Sequence, residues 1–386
     1  MFERILLKSG SNNVDRFLSI ADLVDMMFYY GEVHIVVSQF ELKQLLTVFG
    51  EDVLYELIKT GRLIVHPCDQ HIGASRYGEL DSVGLFRRNF QSIDELLLNF
   101  HKETNSDPSE NRRFARKFST VLTEYRYPQD IHDSLYKDIE NEDLLSRAAQ
   151  VFIRQYYPCY QNIDEIHIKA IFAEASFISF YKIEGNLRTD ELNTIHKKLG
   201  YNGNFSYSTV LMALGETNLD CYMASELQAE MIANRRWTEV YKLRMNECIK
   251  QAERSQEDIN HFREMAANDF LSPGESFVAG LLSPQELLKD LICNDSVKFR
   301  EWLSKIPYGQ PLTGELYKEI QGRFSNKNWV KGVRSLSQIL TGLINPIAGA
   351  VHTFLDGFVG DRLINGWRPA MFISSVLSKD SMKKLR

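Results

Sequence analysis

Residues 20–67 read IADLVDMMFYYGEVHIVVSQFELKQLLTVFGEDVLYELIKTGRLIVHP. Ala21 to Tyr30 is an apolar run that fits a helix. It stops at Gly31, a residue suited to a left-handed cap. Val33 to Val37 follows as a short strand. Ser38 with Glu41 three residues on makes a capping box, which starts a helix ending near Gly50. A second helix runs from Glu51 to Thr60 and ends at Gly61, and Leu63 to Val65 reads as a returning strand. The order is helix, strand, helix, helix, strand, the content of a small α/β unit.

That order resembles a winged helix, a class that places the second helix of its pair in the major groove of DNA. The charges oppose such a role. The helix from Glu51 to Thr60 carries Glu51, Asp52 and Glu56 against Lys59, whereas phosphate contacts need Lys and Arg.

Outward from this unit the chain reads as helix. Asp107-Pro108-Ser109-Glu110 supplies an N-cap, a first-turn proline and a capping glutamate together. The helix they start carries Phe114, Phe118, Val121, Leu122 and Tyr125 at helical spacing. Another helix fits Leu144 to Tyr157. Ile166 to Ile183 alternates well enough for two strands. Beyond Gly185-Asn186 the pattern is helical almost continuously to Asp269. Ser283-Pro284-Gln285-Glu286 starts one more capped helix.

The fold class expected is therefore mainly α with a small α/β N-terminal unit, a multi-unit helical protein ending in a C-terminal Gly-rich apolar helical hairpin. At 386 residues the chain exceeds what one core usually holds. Four units are expected: 1–80, the α/β head; 81–158, helical with a basic amphipathic helix; 159–310, two possible strands and a long helical hairpin; and 311–386, the Gly-rich apolar unit with its basic tail.

A net charge of −6 disfavours indiscriminate binding to nucleic acid or anionic membrane. Five scattered cysteines without framework spacing suit reduced thiols and a cytoplasmic setting. The first nineteen residues lack the apolar core of a signal peptide. Glycine-rich phosphate loops, the nucleophile elbow and the His-Glu-x-x-His helix are all missing from the sequence, so the chain reads as non-enzymatic and without a cofactor.

Four sets of residues stand out. Arg112, Arg113, Arg116 and Lys117 form the strongest basic feature, two pairs four apart on one helix, suited to phosphate or an acidic partner. Arg235 and Arg236 are a second, weaker pair. Residues 335–355 carry no charge, and within the tail Gly342 and Gly349, with Phe354, Phe358 and Trp367, mark an interface. His66, Cys68 and His71 offer zinc ligands but lack a fourth, so no metal is expected.

The function expected is that of a cytoplasmic interaction or scaffold protein. It would join itself or another chain through its apolar C-terminal unit, as a component of a microbial defence or regulatory complex. The alternatives are nucleic-acid binding through Arg112 to Lys117 and a membrane-acting effector working through residues 335–360.

Overall fold

The computed structural model describes residues 3–8, 19–68, 70–87, 93–104, 107–122, 124–128, 130–175, 179–200, 204–231, 237–248 and 273–305. The first part holds β1 (Arg4–Lys8), α1 (Ile20–Tyr29), β2 (Glu32–Val37), α2 (Gln39–Phe49), α3 (Glu51–Lys59) and β3 (Leu63–Pro67). Next come β4 (Gln70–Tyr77), β5 (Leu80–Arg87), α4 (Ile93–Thr104), α5 (Pro108–Ser119), α6 (Asp130–Glu140) and α7 (Glu142–Tyr156). The remainder is β6 (Ile168–Ala175), β7 (Ser179–Gly185), α8 (Thr189–Lys198), α9 (Ser208–Leu227), β8 (Glu230–Met231), α10 (Thr238–Cys248), α11 (Pro273–Val278), α12 (Pro284–Ile292) and α13 (Asn294–Ser304).

The strands form two sheets, one parallel in the order β3-β2-β1-β8 and one antiparallel in the order β4-β5-β7-β6. Helix accounts for 59% and strand for 20% of the described residues, which overturns the mainly α expectation: the protein is mixed α/β. The order helix, strand, helix, helix, strand is present as α1, β2, α2, α3 and β3, but its arrangement is not that of a winged helix. β2 and β3 are not the arms of an antiparallel wing but parallel neighbours in a sheet that also contains β1. The Gly-rich hairpin expected at 311–386 lies outside the described residues, as do 249–269 of the helical stretch expected up to Asp269.

The parallel sheet has a core on each side. Ile5, Leu7, Val33, Ile35, Val37, Leu63 and Val65 belong to one, shared with α1 to α5 and α11 to α13. Leu6 and Val36 belong to the other, shared with α6, α7, α9, α10 and the antiparallel sheet. Burial on both faces explains why β2 reads as an almost unbroken apolar run. Helix α1 is likewise buried nearly all round, with Leu23, Val24, Met26, Met27 and Phe28 wholly excluded from water. Each such side chain contributes roughly 1.5–3 kcal/mol relative to an exposed one.

Polar groups around α1 fix its contacts. Asp25, buried on α1, accepts the Gly274 N–H at 2.9 Å and so holds the first turn of α11. A Cβ at Gly274 would stand 2.1 Å from the Ala21 carbonyl oxygen, so only glycine permits this crossing. At the other end, buried Arg62 donates to the carbonyls of Met27, Tyr30 and Gly31, groups that a helix C-terminus leaves unpaired. Gly31 is not the left-handed cap that was expected. It is required because a Cβ there would stand 2.7 Å from the Glu3 carbonyl oxygen, beside the start of β1.

Candidate functional site

Parallel register determines which side chains share the sheet face turned toward α9. Arg4 is level with Glu32, Leu6 with His34 and Ile64, and Lys8 with Val36 and His66. Adjacent strands lie roughly 4.8 Å apart, so Lys8 and His66 stand two strands apart, about 10 Å, at the carboxyl edge of the sheet. The strand order turns at β1: β2 and β3 build to one side of it and β8 is added on the other. The carboxyl ends beside such a turning point are where open α/β sheets bind ligands.

On the β1 side, Lys8 Nζ lies 2.6 Å from Asp220 Oδ1, and Tyr241 donates its hydroxyl to Oδ2 of the same carboxylate. Asp220 comes from the middle of α9, and Glu216 one turn before it accepts the indole N–H of the buried Trp237. Burial works against the Lys8 ammonium. The Asp220 carboxylate, with Tyr127 and Glu216 behind it, outweighs that penalty and holds Lys8 above its ordinary range. Burial pushes the hydroxyls of Tyr127 and Tyr241 upward, and Asp220 adds to both shifts. Lys8 is thus a fixed cation and the tyrosines remain proton donors at neutral pH.

On the β3 side, His34 Nδ1 and His66 Nε2 are 3.0 Å apart. Their ring planes differ by 10° and their centroids are 5.3 Å apart. That separation is close to the nitrogen distance plus the two ring radii, so the rings lie edge to edge in one plane, not face to face. An in-plane N–H and an in-plane lone pair then meet head on. Glu32 Oε2 is 3.5 Å from His34 Nε2, longer than a good hydrogen bond, and is held by Arg4 Nε at 2.8 Å. Burial lowers the proton affinity of both imidazoles, bringing His66 to about 4, with His34 adding to the effect. The edge of the pair meets the Tyr125 ring, whose hydroxyl donates to Glu226 at 2.5 Å. Tyr125 is placed by its N–H on the Pro67 carbonyl at 2.7 Å.

The layer between sheet and α9 therefore holds Arg4 and Lys8 against Glu32, Glu216, Asp220 and Glu226, whereas Glu230, level with Ile5 on the other face, accepts from Tyr30 at 2.7 Å. Carboxylates outnumber cations, a setting for ligands rich in hydrogen-bond donors and hostile to anions.

The residues singled out in the sequence lie elsewhere. Arg112, Arg113 and Arg116 are exposed on α5. Lys117 is occupied by Glu51 at 3.2 Å and Asp52 at 2.9 Å, with its ammonium 4.7 Å from the Tyr55 ring centroid. Arg235, Arg236, Gly342, Gly349, Phe354, Phe358 and Trp367 lie outside the described residues. His66, Cys68 and His71 do not come together as a ligand set. No group of three ligating side chains occurs among the described residues, and the Cys68 thiol faces the Gln70 carbonyl. Nor is any described helix long and apolar enough to cross a membrane.

Lys8, Asp220, His34 and Tyr125 went unnoticed as site residues in the sequence. The signal for one of them was the single polar residue His34 inside the apolar run Val33 to Val37. No family model, curated protein or solved structure matches the chain.

Proposed function

We propose that the protein binds a small neutral or cationic molecule bearing hydroxyl or amino groups, at the carboxyl edge of the parallel sheet. One observation carries this: the Lys8–Asp220–Tyr241 cluster and the His34–His66 pair beside Tyr125 share one face of the sheet, and with Tyr127 they bring together six groups of displaced proton affinity. Such clustering beside a sheet's turning point is typical of sites built for ligands or proton transfer. Cys68, Cys159, Cys221 and Cys293 form no disulfide, which supports a cytoplasmic setting.

The test is a ligand-observed NMR screen of the full chain against sugars, polyols, nucleosides and amines. Binding of one such class, lost in Asp220→Asn and in His66→Asn with the fold retained, supports the proposal. Absence of any binder, or a binder indifferent to both substitutions, overturns it.

A second reading, assembly with another protein chain, is favoured by the outer strand of the antiparallel sheet. There Ile171 and Phe172 of β6 are 40% and 52% exposed beside an edge that pairs with no other strand among the described residues. Exposed apolar edges are docking sites for added strands. Light scattering checks it: mass above that of one chain which falls to one chain in Ile171→Lys supports assembly, and a single-chain mass for the unaltered protein removes it.

A further inference from the structure

The in-plane contact between the two histidines has a direction, and Glu32 sets it. A carboxylate only accepts hydrogen bonds. The His34 nitrogen nearest to it, Nε2, is 3.5 Å away and otherwise without a partner, so it is the nitrogen that carries a proton. In a neutral imidazole the other nitrogen then holds a lone pair, and His34 Nδ1 is an acceptor. The proton in the 3.0 Å contact therefore belongs to His66 Nε2. His66, neutral in turn, keeps its own lone pair on Nδ1, on the side of the ring away from His34. That nitrogen makes no hydrogen bond within the described residues, and His66 is only partly buried. The opposite assignment would set a lone pair of His34 against the Glu32 carboxylate inside the protein, an uncompensated repulsion.

We infer that Glu32, His34 and His66 form a directed chain whose open end, His66 Nδ1, accepts a hydrogen bond from a hydroxyl or ammonium group of a molecule bound beside Tyr125. This deepens the ligand-binding proposal and rests on it for the ligand. No bond to hydrogen is broken: the ligand keeps its proton, and both imidazoles stay neutral, as their lowered proton affinity favours. His34 and Glu32 are positioning residues. The charged and titratable groups facing the pair are Glu32 and Arg4 from the first two strands and Tyr125 from the segment after α5.

The experiment is nitrogen-15 NMR of histidine side chains in the full chain at neutral pH, without ligand, with signals assigned by His34→Asn and His66→Asn. The expected result is both rings protonated on Nε2, with an unprotonated Nδ1 in each. Glu32→Gln, which keeps the size and removes the charge, is expected to shift His66 toward a mixture of tautomers while the other histidine signals stay put. An Nδ1–H form of His66 in the unaltered protein, or a His66 signal unmoved by Glu32→Gln, overturns the inference. If the tautomers are as stated and no ligand is found, the ligand proposal fails and the chain stands. If a ligand binds and the tautomers are reversed, only the direction of the chain fails.

Discussion

Lowering the pH is expected to destabilise the protein through His66 before most carboxylates are protonated. The folded ring has its proton affinity lowered to about 4, against 6.5 for an ordinary histidine. A group with a depressed folded value takes up its proton first in the unfolded chain. Nothing is lost above pH 6.5, the unfolded state gains between 6.5 and 4, and the penalty is complete below 4. Between pH 7.5 and 4.5 this amounts to about 2.5 kcal/mol, or about 2 after allowance for solvent around a partly exposed ring. His34, also lowered, adds in the same direction. The assay is urea unfolding of the full chain and of His66→Asn at both pH values, taking the difference so that carboxylate contributions cancel. The variant is expected to lose about 2 kcal/mol less than the unaltered protein over that range. Equal losses would refute the assignment of a buried neutral pair.

Other substitutions probe the scaffold that holds the site. Gly274→Ala forces a methyl group against the Ala21 carbonyl and is expected to cost about 2–4 kcal/mol in chemical unfolding, by parting α11 from α1. Arg62→Met leaves the carbonyls of Met27, Tyr30 and Gly31 without their donor and is expected to cost about 3 kcal/mol, less whatever is recovered by removing a buried cation near Arg300. Lys117→Ala removes surface pairs with Glu51 and Asp52 and is expected to change stability by under about 1 kcal/mol. A larger effect there would mean that the Tyr55 contact carries more than its exposure suggests.

Some of this architecture was legible because it is punctuated locally. Ser38 and Glu41 do form the capping box at the start of α2, and Gly50 and Gly61 do take left-handed backbone at the helix ends. Ser283 with Glu286 caps α12 in the same way. Ile168–Ala175 and Ser179–Gly185 are strands, as the alternation from Ile166 to Ile183 suggested. The β4–β5 hairpin escaped because its signals are weak one by one. Gly78 takes the left-handed first position of the turn that follows Tyr77, and Gly73 and Gly84 face each other across the ladder where a Cβ on Gly73 would strike the Phe86 ring. Glycines inside strands lower the apolar periodicity that marks a strand. β8, at two residues, has no period at all. Its place in the sheet comes from α9, which returns the chain beside β1.

The candidate site was illegible for a different reason, since its members are distant in sequence and each has a bland local setting. Lys8 ends a short strand, Asp220 sits mid-helix, and His66 stood next to Cys68 in what looked like half a zinc knuckle. Pairing is what joins them. Once β1, β2 and β3 are taken as parallel and in register, alternation puts Lys8, His34 and His66 on one face, and the sheet's burial on both sides turns each polar residue on it into a group that must find a partner. His34 shows how the two levels connect. A histidine between Val33 and Ile35 costs free energy in an apolar strand unless something answers its nitrogens, and here Glu32 and His66 answer one each. A polar side chain interrupting an otherwise buried strand therefore calls for partners from the neighbouring strands. The adjacent strand supplied a second histidine two residues further along, and so the hydrogen-bonded chain depends on the parallel topology that the local sequence pattern did not specify.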